Sequence, residues 1–506
     1  MGTSVEPGSR ALADPESAAH SAQLPAGSRL RRPGTVVIAL MLGAAALRFA
    51  TLNVQSIWLD ESATMILVRR GFSGMLSHLP SSESAPPLYY ILVWAWTRLF
   101  GAGPLGFRSC SALVGVLTIP VVYAAGRRIS TRTGLWAAAL TAVNPAMYYY
   151  SQEARAYALV VLLSAAALVL WQRALEAPSR RGLWLWAGMS SLAVLTHYFA
   201  AFLFLPEAAI LARRLGWRRT LPPSTAVALV GIALAPLALR ERADGKSNWI
   251  EAASLASRIG ESAKQFLVGL YGPLEILSAL LAALLAAGAL ALLLRYGDRR
   301  ERHSARDFAM LAGAAILLPL LLAVTHLVDV FDGRNMIAAW APCAVLVAIG
   351  LGVARAPRAG AALGVGLCAV SLAVIAGIDT TPGYQRDDWR GAAQALPALR
   401  HERVIVGQEN ASLPLSIYLP ATREATGASV STGELDFIAL RTRRTGRAPL
   451  PPVVPTSPPH GFRLAGVSRS EAFAVARFLA PHATSVQVAT LRRIGGEPKA
   501  EVIVQR

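Results

Sequence analysis

Apolar residues come in long uninterrupted runs along this chain, separated by short polar segments rich in arginine. Runs of near-spanning length lie at residues 34–53, 106–125, 133–149, 155–173, 182–197, 199–213, 222–240, 273–296, 307–328, 336–354 and 358–378. Segments this apolar belong in hydrocarbon, and eleven helical spans are predicted. A further run at 87–100, PLYYILVWAWTRLF, offers 14 residues. That is roughly 21 Å of helix against a hydrocarbon core about 30 Å thick, so this run is laid along the membrane surface. A signal-peptide reading of 34–53 gives way to a retained first helix because many spans follow.

The polar segments give the spans a direction. With the N-terminus inside and 87–100 not crossing, the cytoplasmic loops are GRRISTRTG, QRALEAPSRRG, ARRLGWRRT, RYGDRRERHSAR and ARAPRAG, all rich in arginine. A crossing at 87–100 would put these loops outside and invert the rule. Outside then lie a long first loop at 54–105, YYSQEAR, the segment 241–272, the turn DVFDGRN and everything after 379. Residues 1–33, rich in Ala, Ser, Pro and Gly and ending in the basic run Arg29, Arg31, Arg32, read as a disordered cytoplasmic tail. Residues 34–379 form the transmembrane part. After the turn TTPG the chain turns polar, with helix-like stretches at 387–398 and 469–480 and β-branched runs at RVIVG, TSVQVATL and AEVIVQ. Residues 380–506 are therefore read as a small extracytoplasmic α/β domain on a polytopic α-helical membrane protein.

Composition agrees. Of 506 residues 54% are hydrophobic and 16% charged, against about a quarter charged in soluble proteins. The net charge of +19 suggests nucleic acid, but its clustering between apolar runs fits a cytoplasmic membrane edge instead, and no nucleic-acid partner is expected. Three cysteines in 506 residues exclude a disulfide scaffold, and Cys110, Cys343 and Cys368 all lie inside apolar runs, which points to core packing.

Chemistry concentrates in the external segments. SIWLDES places Asp60 and Glu61 just beyond the first helix, as a pair for proton abstraction or cation binding, or as an acidic helix cap. Arg48 lies inside the apolar first helix and calls for an anionic partner or for snorkelling to the headgroups. In YYYSQEARAY, Glu153 and Arg155 are placed to meet a substrate, with helix capping the alternative for Glu153. His197, in LTHYFA, is a substrate-facing or interfacial group, and His78 is left on the surface. Arg334, in FDGRNM, faces the same compartment and can grip a phosphate. There is no Walker loop, dinucleotide-binding turn, GxSxG, HExxH or CxxC pair. No cytoplasmic loop carries a DxD-type acidic pair, so a cytosolic nucleotide-sugar donor is disfavoured.

WLDE after the first helix, PPLYY opening a short helix that ends LFG, FRSCSAL, a GRR turn, NPAMYYYSQEARAYAL, FDGRN and YQRDDWRGAAQAL follow in an order that resembles the GT-C membrane glycosyltransferases. The likeness is to the branch related to family 39, which holds protein O-mannosyltransferases and aminoarabinose transferases. Ala85 stands where many relatives carry His, and Asn335 where they carry Tyr. The resemblance implies a polyprenyl-phosphate sugar donor, an acceptor on the outer membrane face and single inverting displacement. Asp60 is then the catalytic acid position with Glu61 beside it. Glu153 lies near the donor phosphate, and His197 and Arg334 face the same cavity. A divalent cation, Mg or Mn, is left open, with Asp60 and Glu153 its candidate ligands. The partners expected are the lipid-linked donor, membrane lipid and an extracytoplasmic acceptor. The competing reading is a carrier of a lipid-linked sugar or anionic solute, against which stands the lack of repeated halves or broken midplane helices.

Overall fold

The structure, a computed structural model, describes Gly2 and residues 33–246, 248–444, 447–457, 459–496 and 499–506. Apart from Gly2 and Pro33, the expected N-terminal tail falls outside the described residues. Each of the eleven apolar runs contains a helix. Seven of them, Pro33–Ala50, Pro104–Arg127, Tyr157–Glu176, Trp217–Ala243, Glu275–Tyr296, Arg299–Val324 and Pro357–Thr380, are long and apolar enough to cross a membrane, as expected of a multi-pass membrane protein. The other four, Thr131–Val143, Arg180–Thr196, Ala201–Leu215 and Trp340–Gly352, have 13, 17, 15 and 13 residues.

Local chemistry explains where these helices stop. The run at 133–149 is broken in two because Asn144 ends one helix and caps the next, Pro145–Ser151. Its Oδ1 accepts from the N–H of Ala146 and Met147, and Pro145 fills the first helical position. The Asn144 Nδ2 donates to the carbonyls of Phe266 and Leu267, tying this corner to a distant segment. Between Pro104–Arg127 and Thr131–Val143 the backbones meet at Gly126 and Gly134, where a Cβ would lie 2.9 Å from the facing backbone. Small residues allow such approach where apolar lipid supplies no hydrophobic drive to association.

The first loop carries three short helices, Leu59–Arg69, Phe72–Ser82 and Leu88–Phe100. The 13-residue helix Leu88–Phe100 buries Tyr89, Tyr90, Val93 and Thr97 along one stripe. Met65, Phe107 and Cys110 share that core with it. Cys110 is buried, Cys343 and Cys368 are half-buried, and all three are free thiols.

The C-terminal domain is built on strands β1 (Arg403–Gly407), β2 (Thr422–Glu424), β3 (Ser429–Leu440), β4 (Thr442–Arg444), β5 (Arg447–Leu450), β6 (Arg463–Arg469), β7 (Phe473–Gln487) and β8 (Glu501–Gln505). Six form a sheet in the order β2-β8-β1-β3-β7-β6, and β4 and β5 form a separate ribbon. β1 and β3 run parallel, with Val404 opposite Leu435, and the remaining pairs of the sheet are antiparallel. The helix expected at 469–480 is not formed: the stretch closes β6, turns, and from Phe473 is the start of β7. Its alanines suit a helix, but as an inner strand between β3 and β6 it is buried on both faces. Ala474, Ala476 and Phe478 pack in one core and Phe473 and Val475 in the other, so no period-2 pattern marks it. The β-branched run at 484–491 also divides, since β7 ends at Gln487 and Val488–Ile494 is helical. Around 387–398 the expected helix is present but short, Trp389–Gln394.

Candidate active site

The helix Leu59–Arg69 begins with Asp60 and Glu61 in its first turn, where the helix dipole favours carboxylates. Their side chains part company there. Glu61 is wholly buried, and Arg108 holds it from two sides, Nε to Oε1 at 2.7 Å and Nη2 to Oε2 at 2.5 Å. The Ala154 N–H donates to Oε1 at 3.0 Å, and Arg386 lies 3.4 Å from Oε2. Burial alone would raise this carboxyl, but Arg108 and Arg386 outweigh it and hold it below the ordinary carboxylate range. Arg108 also donates to the carbonyls of Leu52, Gln55 and Ser56. Glu61, expected beside Asp60 as a second reacting carboxylate, is thus engaged in fixing the first loop to the start of Pro104–Arg127.

Asp60 keeps a quarter of its side chain exposed, and its Oδ2 lies 3.3 Å from Nη1 of Arg334. Arg334 comes from the turn Asp332-Gly333-Arg334. Its Nε is 3.3 Å from Asp332, and its guanidinium sits over the Trp249 ring at 4.3 Å from the centroid. At Gly333 a Cβ would fall 2.0 Å from Oε1 of Gln265, so a side chain there would displace that amide. Gln265 in turn donates to the Tyr150 hydroxyl.

Arg155 is not free to meet a substrate with its whole guanidinium: Nη1 pairs with buried Glu83, which also accepts from Thr64 at 2.8 Å. Lys246 donates to the Glu83 carbonyl at 2.7 Å and to the Pro80 carbonyl at 3.1 Å, closing the far side of this cluster. Glu153 is buried, and neither carboxylate oxygen has a hydrogen-bond partner among the described residues. Burial, with Glu61 and Asp60 adding to it against the pull of Arg386, pushes its carboxyl up to about 7. It caps no helix. His197 is buried at the turn after Arg180–Thr196, with its ring 5.7 Å from Tyr157 and 5.3 Å from Phe199.

Arg48 is placed apart. It neither snorkels nor finds an anion: Nη1 donates to the carbonyls of Ala44 and Ala142, the second at 2.9 Å, and Nη2 reaches Thr141 O. The carbonyls of Thr141 and Ala142 lie in the last turn of Thr131–Val143, and the negative end of a helix can hold a buried cation in place of a carboxylate. Arg48 lines neither cavity described below.

Sequence reading missed Arg108, Glu83, Asp332 and Arg386. Arg108 carries the signal that singled out Arg48, a charge inside an apolar run. Arg386 lies in the post-membrane segment YQRDDW and folds back, stacking on Tyr149 at 4.2 Å and donating to the carbonyls of Gln152 and Tyr149.

Two cavities adjoin this cluster. One, about 390 Å³, is apolar and includes Phe266, Phe331, Met336, Trp340, Leu320 and Ile316 in its wall. The other, about 380 Å³, is polar and is lined in part by Trp58, Tyr149, Arg334 and Arg386. Among the described residues no group of three or more His, Cys, Asp or Glu is placed to hold a metal. The Arg334 guanidinium lies between Asp60 and Asp332, so these two acids already share a cation. The residues present do not fit a metal centre built on Asp60 and Glu153.

Residues 84–239 match the family model described as dolichyl-phosphate-mannose-protein mannosyltransferase. The fold is similar to that of ArnT from Cupriavidus metallidurans. In the apo state the TM-score is 0.53 at 14% identity, covering 88% of this chain and 98% of that one. With ArnT bound to undecaprenyl phosphate it is 0.51 at 13%, covering 87% and 97%. No protein of curated function matches the sequence. The matched segment and the similarity of fold agree with the resemblance carried by the sequence motifs.

Proposed function

We propose that this protein transfers a sugar from a polyprenyl-phosphate donor to an acceptor on the extracytoplasmic face of the membrane by single inverting displacement. The observation that carries the reading is the pairing of a part-exposed carboxylate, Asp60, with a guanidinium, Arg334, beside both an apolar and a polar cavity. Asp60 accepts the proton of the acceptor hydroxyl as its oxygen bonds to the anomeric carbon. The bond from that carbon to the phosphate oxygen breaks, and polyprenyl phosphate leaves. Arg334, with Arg386 on the same wall, faces the charge that grows on the leaving group, where cations stabilise the transition state more than the ground state. Phe331 and Met336, on either side of the Arg334 turn, belong to the apolar cavity, which suits an isoprenoid chain whose phosphate meets Arg334. ArnT bound to undecaprenyl phosphate supports the donor class. No step is routed through a metal ion.

Eleven spans with the N-terminus inside keep every arginine-rich loop in the cytoplasm, and Asp60, Glu153, Arg334 and the C-terminal domain outside. The test uses purified protein in lipid, supplied with a polyprenyl-phosphate sugar and a membrane extract. Free polyprenyl phosphate should appear together with sugar on an acceptor. If the donor stays chemically intact while it exchanges between leaflets, the protein is a carrier and the transferase reading falls.

A further inference from the structure

The polar cavity of about 380 Å³ is shared between the two parts of the chain. Trp58 and Arg334 line it from the external loops, Arg386 from the segment that follows the last apolar helix, and Gln408, Glu409 and Arg441 from the sheet of the C-terminal domain. Those last three residues stand at one particular edge of the sheet. β1 ends at Gly407 and β3 at Leu440, so Gln408 and Glu409 follow one strand of the parallel pair and Arg441 follows the other. The chain leaves β1 through a turn with Asn410 at φ 64° into the helix Ser412–Tyr418, and leaves β3 into the β4–β5 ribbon. Crevices beyond the carboxyl ends of parallel strands, where neighbouring connections diverge, are where open α/β sheets bind ligands. Here that crevice opens onto the catalytic cluster.

A second observation is independent of topology. Trp58 Nε1, Arg386 Nε and Arg441 Nε are buried donors with no acceptor among the described residues, and all three residues belong to this one cavity. Buried donors are ordinarily paired, because an unpaired one loses its water without replacement. Arg386 faces the leaving phosphate in the reading above, and Trp58 and Arg441 give the rest of the wall a donor character that suits a ligand rich in acceptor oxygens.

We propose that this cavity is the acceptor subsite of the transferase read above, and that the acceptor is a saccharide held by the C-terminal domain with one hydroxyl presented to Asp60. The proposal rests on that reading. Hydroxyls both donate and accept, which matches the mixed set of Gln408 amide, Glu409 carboxylate and arginine donors, while the ring of Trp58 supplies a surface for the C–H face of a sugar. A polypeptide acceptor would commonly add to a sheet edge. The edges are β2 and β6, and neither contributes to this cavity. An acyl chain would want apolar walls, which the other cavity has.

The experiment uses the full chain in lipid nanodiscs, passed over immobilised oligosaccharides and over immobilised Ser/Thr peptides. Saccharides should be retained and peptides not. Glu409→Gln, at an exposed position, and the pair Gln408→Ala with Arg441→Ala should weaken retention about tenfold or more, while undecaprenyl phosphate binding stays within about twofold. Retention of peptides only, of neither class, or of saccharides equally well by the variants overturns the proposal. Asp60→Asn should still retain the saccharide. Saccharide retention that the variants weaken, in a protein that never cleaves the donor, would refute the transferase reading and leave the binding site standing.

Discussion

Asp60 and Arg334, 274 residues apart in sequence, meet at 3.3 Å beside the polar cavity. Neither needs the other for burial, since each keeps about a quarter of its side chain exposed. Part-exposed pairs contribute little to stability, so this one is free to exchange its partner for a substrate.

Asp60→Asn therefore removes transfer without unfolding the protein. The amide keeps the shape but cannot accept a proton, and the loss should be a hundredfold or more, in the range of about 10²–10⁴ for a missing general base. Undecaprenyl phosphate should bind the variant normally. Near wild-type turnover would move the base elsewhere, with Glu153 next in line.

Glu61→Gln should behave in the opposite way. Removing the charge leaves Arg108 and Arg386 buried without their carboxylate, and breaking a buried pair costs about 3–5 kcal/mol. Thermal unfolding in detergent should show a large fall in Tm. A variant as stable as wild type but inactive would restore Glu61 to the chemistry.

Glu153 gives a pH dependence with a definite sign. Its carboxyl stands at about 7 in the folded protein and near 4.3 in an unfolded chain. Between those values the folded state binds more protons, so this group's stabilisation is present in full below the lower value and is lost as pH rises through the upper. Glu153→Gln should remove that decline, making the variant more stable than wild type at pH 8, by on the order of 3 kcal/mol. Parallel stability curves for the two proteins from pH 5 to 8 would contradict the assignment.

Chelation should leave transfer within about twofold. The cation beside Asp60 is Arg334, whose guanidinium is bracketed by Asp60 and Asp332, and a guanidinium is held independently of added metal. Loss of activity in EDTA, restored by Mg²⁺ or Mn²⁺, would return Asp60 to the role of metal ligand.

Topology is checked by single cysteines at Arg132 and Ser457, both exposed, in a protein lacking Cys110, Cys343 and Cys368. An impermeant thiol reagent should label position 457 in intact cells and position 132 only after permeabilisation. Labelling of 132 from outside would sink the eleven-span arrangement.

The sequence by itself determined the helices of the membrane part, because a span must be apolar along its whole length and must satisfy its own backbone. All eleven runs contain helices, and the short run 87–100 forms the 13-residue helix Leu88–Phe100. It also determined Asp60 and Arg334 as candidates, since charges beside apolar runs are costly enough to stand out. What it did not determine was which charges are consumed by one another. Glu61 and Asp60 are neighbours in the chain, but one is sealed behind Arg108 and Arg386 and the other pairs with Arg334 on the cavity wall, a division set by helix phase and by residues 47 and 325 positions away. The same holds for Arg48, whose partners are carbonyls, which sequence does not display as charge. It holds too for β7, an inner strand with apolar neighbours on both faces, whose pattern is set by β3 and β6. Helices in lipid are specified locally, whereas ion pairs and central strands are specified by what packs against them, and only the tertiary structure decided those.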